Sequence, residues 1–309
     1  MISQRQLREW SQEAVIHFQS LMPTLDVPYP EIHIVSDRTM YSVREAELKR
    51  TQSPATEFYN IPAMETLHGP GGDSILIYQK RYNGVMWDSR DLNAKNRFQH
   101  FLWHEHGHFF AINKENPEDN FIRFMDQKPH PEEYEALLGY SFWTEFIAEV
   151  IACRVTPDPV IDWDNFYWYT PRNELIRLLS GAFNTNDYGI GWYDLAFYFA
   201  RILADKTTTR FIDGAKNGLV KVDMFRGITE EKLTFEETGI DPTGLDGFHP
   251  QLLTSMDDLR EYLELIINDE EYWRITLEDL DSIGTIIHSM ERFMAMDDID
   301  ARLRDRIHQ

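Results

Sequence analysis

The chain has 309 residues, of which 42% are hydrophobic and 13% aromatic. That is enough apolar mass for a buried core and too much for a disordered chain. Acidic residues number 52 against 30 basic ones, a net charge of −22, which argues against nucleic acid and anionic membrane as partners because both need a basic face.

The single cysteine, Cys153, permits no internal disulfide, as in a reducing compartment. The N-terminal MISQRQLREWSQEAVIHF has no apolar core of signal-peptide type, and no stretch is read as long enough to span a membrane. A soluble, cytoplasmic protein is expected.

In chain order, apolar residues at helical spacing (Leu7, Trp10, Val15, Phe18, Leu21) predict a helix over 5–21. EIHIV (Glu31–Val35) alternates between prolines and predicts a strand. Residues 39–52 look helical. DSILIYQK (Asp73–Lys80) follows a Gly-Pro-Gly-Gly turn and predicts a second strand. A helix is expected from near Asp91 to about Asn113, with Phe98, Leu102, Phe109 and Ile112 in one stripe, and then a loop over 113–120.

Pro131 suits the first turn of another helix, with Glu132, Glu133 and Glu135 near its positive end. This helix should run to Arg154, bend at Gly139 and end at Pro157 and Pro159. Further helices are expected over 171–183, 190–205, 256–268 and 276–306, while 214–248 has no assignable pattern. The fold class is α+β. A zincin-like half with a small sheet and an active-site helix is expected over 1–158, and a mostly helical half over 159–309.

The chemistry concentrates in His104-Glu105-His106-Gly107-His108, an H-E-x-x-H pattern. Residues four apart project from one helical face, so His104 and His108 can both turn a ring nitrogen to one ion. Zinc suits imidazole and acidifies bound water. Glu105 is placed to reach that water as a general base without being a ligand. The bland reading is a surface histidine pair. His106 points about 200° from His104 on an ideal helix and is read as a packing residue or a partner behind the ligands. His100 lies one turn before His104, and a surface place is expected for it.

A third ligand must come from elsewhere. Glu145 and Glu149 share a face of the later helix. One can bind zinc while the other hydrogen-bonds a ligand histidine; the bland reading leaves both solvated at a helix edge. His130, in a proline-flanked loop, is a weaker candidate. Cys153 reads as a small buried residue. The aromatic run Trp163–Tyr169 reads as core, Asp297, Asp298 and Asp300 as a solvated face, and Asp241–Asp246 lacks the spacing of a calcium loop.

H-E-x-x-H followed by a helical glutamate resembles the gluzincin metallopeptidases. Glu145-x-x-Ala148-Glu149-x-Ile151-Ala152, then Val155 and Pro157, resembles the second signature of the compact ImmA/IrrE-type peptidases, over about residues 70–160. The resemblance implies a zinc metallopeptidase acting on a peptide or protein, with Glu145 as third ligand. The family usually has Asn or Asp where this chain has Glu149. It also implies an edge strand that binds extended substrate, a place DSILIYQK occupies in chain order. For stabilising the oxyanion, such enzymes often use a later Tyr or His; the candidates are Tyr188, Tyr193 and His249. The rival expectation is a regulatory or binding module in which zinc is structural. Retention of Glu105 favours the enzyme, because a structural site has no use for a base.

Overall fold

The structure is a computed structural model that describes residues 2–53, 63–80, 94–115, 134–156, 196–197, 199–200, 203, 250–268 and 272–290. It is α+β: among the described residues, a small mixed sheet and six helices. The helices are α1 (Gln4–Leu21), α2 (Met40–Thr51), α3 (Ala94–Glu115), α4 (Tyr134–Val155), α5 (Pro250–Ile267) and α6 (277–290). The strands are β1 (Glu31–Val35), β2 (Met64–Leu67) and β3 (Ser74–Tyr78).

α1 starts at a capping box. Ser3 Oγ accepts from the Gln6 backbone N–H at 3.2 Å, and the Gln6 side chain accepts from the Ser3 N–H at 3.0 Å, so two otherwise orphaned donors are satisfied reciprocally. Its buried face, Leu7, Ala14 and Phe18, lies along α3, where the Trp103 indole donates to the Ala14 carbonyl at 3.0 Å. α3 continues to Glu115, past Asn113, from which a loop was expected.

Sheet order is β1-β3-β2, with β1 parallel and β2 antiparallel to β3. This corrects the expectation that DSILIYQK is an edge strand. β3 is central and all five of its residues are buried, as expected of an apolar run paired on both sides. The edge beside it is β2, a strand that the sequence pattern did not predict. The turn from β2 to β3 needs Gly72, whose φ of +104° is one that L side chains rarely adopt.

Side chains alternate across the sheet. On one face Val35, Leu67, Leu76 and Tyr78 form a core with Met40, Val43 and Leu48 of α2. Buried in the same layer is Glu65, held by Arg44 Nη2 at 3.1 Å and by the Tyr78 hydroxyl at 2.7 Å. Burial pushes the Glu65 carboxyl above its ordinary range against the opposing pull of these two partners. The other face carries Thr66 toward α3.

The chain divides into two compact units, Met1–Lys128 with Ile147–Asp162 and Pro129–Phe146 with Trp163–Gln309. The first holds the sheet, α1–α3 and the C-terminal half of α4. In the second, α6 opens with a cap in which Thr276 Oγ1 accepts from the Asp279 N–H at 3.1 Å and Asp279 Oδ2 accepts from the Thr276 N–H at 2.9 Å. The Tyr262 hydroxyl adds a bond to Asp279 Oδ1 at 2.6 Å.

α4 is continuous through Gly139. Contrary to the sequence expectation, the stretch Glu135–Val155 is long and apolar enough to cross a membrane, but 67% of it is buried within the protein, as suits a core helix. The helices expected over 171–183, most of 190–205 and the end of 276–306 lie outside the described residues, as do the unassigned stretch 214–248 and Pro157 and Pro159. α5 begins at Pro250, earlier than the expected 256.

Candidate metal centre

α3 is covered on several sides: Phe98, Leu102, Trp103, Phe109 and Phe110 are all buried. Histidines on such a helix must find polar partners or turn into a cleft. The row His100, His104, His108, spaced by one turn, does so against α4.

His104 is nearly buried and His108 partly exposed. Their Nε2 atoms face each other at 3.0 Å, with ring planes at 90°. Two imidazole ligands on a tetrahedral zinc, at the usual bond length, would hold their nitrogens about 3.3 Å apart, so the observed pair needs little movement to share an ion. Glu145, the third ligand that the sequence suggested, lies on α4 and is partly exposed. Two imidazoles and a carboxylate are a donor set that zinc takes in open catalytic sites.

Glu149 lies one turn further along α4 and is buried. Its Oε2 lies 3.0 Å from His104 Nδ1. A carboxylate there accepts the Nδ1 proton, which leaves the Nε2 lone pair directed at His108. Of the two carboxylates on that face of α4, Glu149 is the one that bonds the far nitrogen of His104.

Glu105 is partly exposed on the neighbouring face of α3. The Thr66 hydroxyl on β2 donates to Glu105 Oε2 at 2.6 Å. One carboxylate oxygen is thereby engaged by the edge strand. Thr66 carried no sequence signal, since its partnership depends on a strand that only the folded sheet reveals.

His100 corrects the sequence expectation of a surface residue: it is fully buried, with Nε2 3.1 Å from Glu149 Oε1 and Nδ1 3.0 Å from Thr156 Oγ1. Its position one turn before His104 was the available signal, because the same helical stripe faces α4. His106 packs against Phe18 at 5.2 Å between ring centroids and bonds the Leu102 carbonyl at 2.8 Å. Burial pushes it down to about 4, against the lift from that carbonyl, so it is neutral and turned away from the ligand pair. Cys153 is buried and shares a potential ligand group with His100 and Glu149. Tyr188, Tyr193, His249 and His130 lie outside the described residues, as do Trp163–Tyr169, Asp241–Asp246 and Asp297–Asp300.

No family model matches the chain, and neither curated proteins nor solved structures give a match.

Proposed function

We propose that the chain is a zinc-dependent hydrolase, specifically a metallopeptidase of the H-E-x-x-H plus glutamate type, with His104, His108 and Glu145 as the zinc ligands. The observation that carries this reading is the convergence of His104 Nε2 and His108 Nε2 at 3.0 Å, with Glu149 on His104 Nδ1; Glu145 enters as third ligand on the resemblance. Zinc bound there supplies an acidified water and polarisation of a carbonyl.

The chain's own residues do the rest. Glu105 takes the proton of the attacking water and passes it to the leaving amine, the work of a positioned carboxylate. Thr66 holds one Glu105 oxygen and so orients the other. Among the described residues β2 pairs only with β3, and its outer edge suits an extended peptide added as a further strand. The resemblance to gluzincins supports the peptide bond as the target, and β2 takes the place that chain order had given to β3.

The test is metal analysis of the purified protein, followed by a proteome-derived peptide cleavage screen comparing the zinc-loaded chain with Glu105→Gln. About one zinc per chain and cleavage products that disappear in the variant are expected. Full biological function in Glu105→Gln at equal zinc content overturns the hydrolase reading and favours a structural zinc in a regulatory module.

A further inference from the structure

We infer that His100 is a positioning residue for the zinc site: it fixes Glu149, and Glu149 fixes His104. The inference rests on the reading of His104 as a zinc ligand and extends it one layer outward, to a residue that touches neither ion nor substrate.

A count of hydrogen-bond donors carries the argument. Thr156 Oγ1 gives its one proton to the Ala152 carbonyl at 2.7 Å. Toward His100 it can therefore only accept, so His100 Nδ1, 3.0 Å away, carries a hydrogen. The other nitrogen, Nε2, lies 3.1 Å from Glu149 Oε1, with a proton between them. The second carboxylate oxygen, Oε2, takes the His104 Nδ1 proton at 3.0 Å. The result is a continuous chain of hydrogen bonds: Ala152 carbonyl, Thr156, His100, Glu149, His104.

Every link is buried. His100 is 0% exposed, Glu149 2%, Thr156 6% and His104 6%. A carboxylate this deep is costly unless its oxygens are engaged, and each Glu149 oxygen meets one imidazole. Two anchors on one carboxylate fix its plane as well as its position. That fixed plane sets the His104 ring and hence the direction of the Nε2 lone pair. Ala152 belongs to the end of α4 that also carries Glu149, and Thr156 directly follows it, with its N–H bonded to the Ala152 carbonyl at 3.0 Å, so the anchor and the carboxylate are tied together while His100 and His104 ride together on α3.

The experiment measures zinc affinity by chelator competition, and the visible absorption of the cobalt(II) form, on the full chain. The variants are His100→Leu, His100→Gln, Thr156→Val, Glu149→Gln and the His100→Leu/Glu149→Gln pair. His100→Leu should weaken zinc about tenfold, the lower end of what partners behind a ligand contribute, and shift the cobalt bands. His100→Gln, which keeps a donor, should recover part of the loss.

The pair should bind no more weakly than Glu149→Gln alone, because His100 acts only through Glu149. Additive losses in the pair overturn the inference, as does an unchanged affinity in His100→Leu. A second zinc ion per chain that is lost on Cys153→Ser also overturns it, since it would then sit on His100, Glu149 and Cys153. Should His100→Leu fail to fold, Thr156→Val carries the test: a loss of about two- to threefold with a cobalt shift supports the chain of bonds, and no change in either overturns it. A wild-type chain that folds but binds no zinc removes the underlying reading of the site, an outcome separate from zinc binding that is indifferent to His100.

Discussion

Gly107 lies against the backbone of Ala148 so closely that a Cβ at position 107 would come 2.7 Å from the Ala148 carbonyl oxygen and 2.8 Å from its Cα. No side chain fits there, and the missing one is what lets α3 and α4 approach near enough for Glu149 to reach both His100 and His104.

Gly107→Ala is therefore expected to destabilise the protein by about 1–3 kcal/mol, the usual cost of forcing atoms into a packed interface. It should also weaken zinc, because separating the helices lengthens the bonds from Glu149. Urea unfolding and zinc titration of the same preparation check both. A variant as stable as wild type with unchanged zinc affinity would show that the helices can part without consequence.

The two carboxylates of α4 should respond differently to substitution. Glu145→Ala removes a proposed ligand and should abolish stoichiometric zinc binding. Glu149→Gln keeps a hydrogen-bonding group of the same size and should weaken binding by about 10–100-fold without abolishing it. Equilibrium dialysis against graded zinc concentrations separates the two cases. Reversed effects would exchange the roles assigned to Glu145 and Glu149.

Thr66→Val removes the hydroxyl that donates to Glu105 Oε2 while keeping the shape of the side chain. Zinc content should be unchanged. The hydrolytic rate should fall by about tenfold, less than the loss of at least about a hundredfold expected when the base itself is removed in Glu105→Gln. Steady-state kinetics on any peptide found to be cleaved decides this, with the loss expected in kcat. Equal rates for wild type and Thr66→Val would mean that the edge strand does not orient the base.

The cap of α6 predicts a pH dependence of stability. Burial works against the Asp279 charge, but bonds from Thr276 and Tyr262 outweigh it and hold the carboxyl below its ordinary value. Its folded value is depressed relative to the unfolded chain, so its contribution is complete above about pH 4 and is lost as the pH falls further. Asp279→Asn should cost about 1 kcal/mol at neutral pH, as caps do. The gap from wild type should narrow in acid, as read from urea midpoints between pH 7 and pH 3. A gap independent of pH would show that the cap does not depend on the charge.

How much could be read in advance follows from where each signal lies. His104 and His108 sit on one helix, so their spacing alone brings their rings together, and α1, β1, α2 and β3 announce themselves by local periodicity. β2 did not, because METL is short and its glutamate is buried through Arg44 and Tyr78, 21 and 13 residues away in sequence. For the same reason β3 was misplaced in the sheet: chain order does not reveal strand order when the intervening partner goes unseen. His100 looked like a surface residue because its partners, Glu149 and Thr156, come from another helix. Spacing within α4 left Glu145 and Glu149 interchangeable; the resemblance chose Glu145 as the ligand, and the partnership of Glu149 with His104 and His100 depends on the packing of α4 on α3.

Glu65 and Thr66, neighbours on β2, leave the sheet in opposite directions, one to Arg44 and Tyr78 and the other to Glu105. Were β2 to slip along β3 by a single residue, its faces would be exchanged. A carboxylate would then be driven toward Glu105, and the Arg44 guanidinium would lose its counter-ion. Both errors arise together, so a four-residue strand, too short to be aligned securely by its backbone bonds, is proofread by charge. The bond from Thr66 to Glu105 thus depends on the register in which β2 pairs with β3.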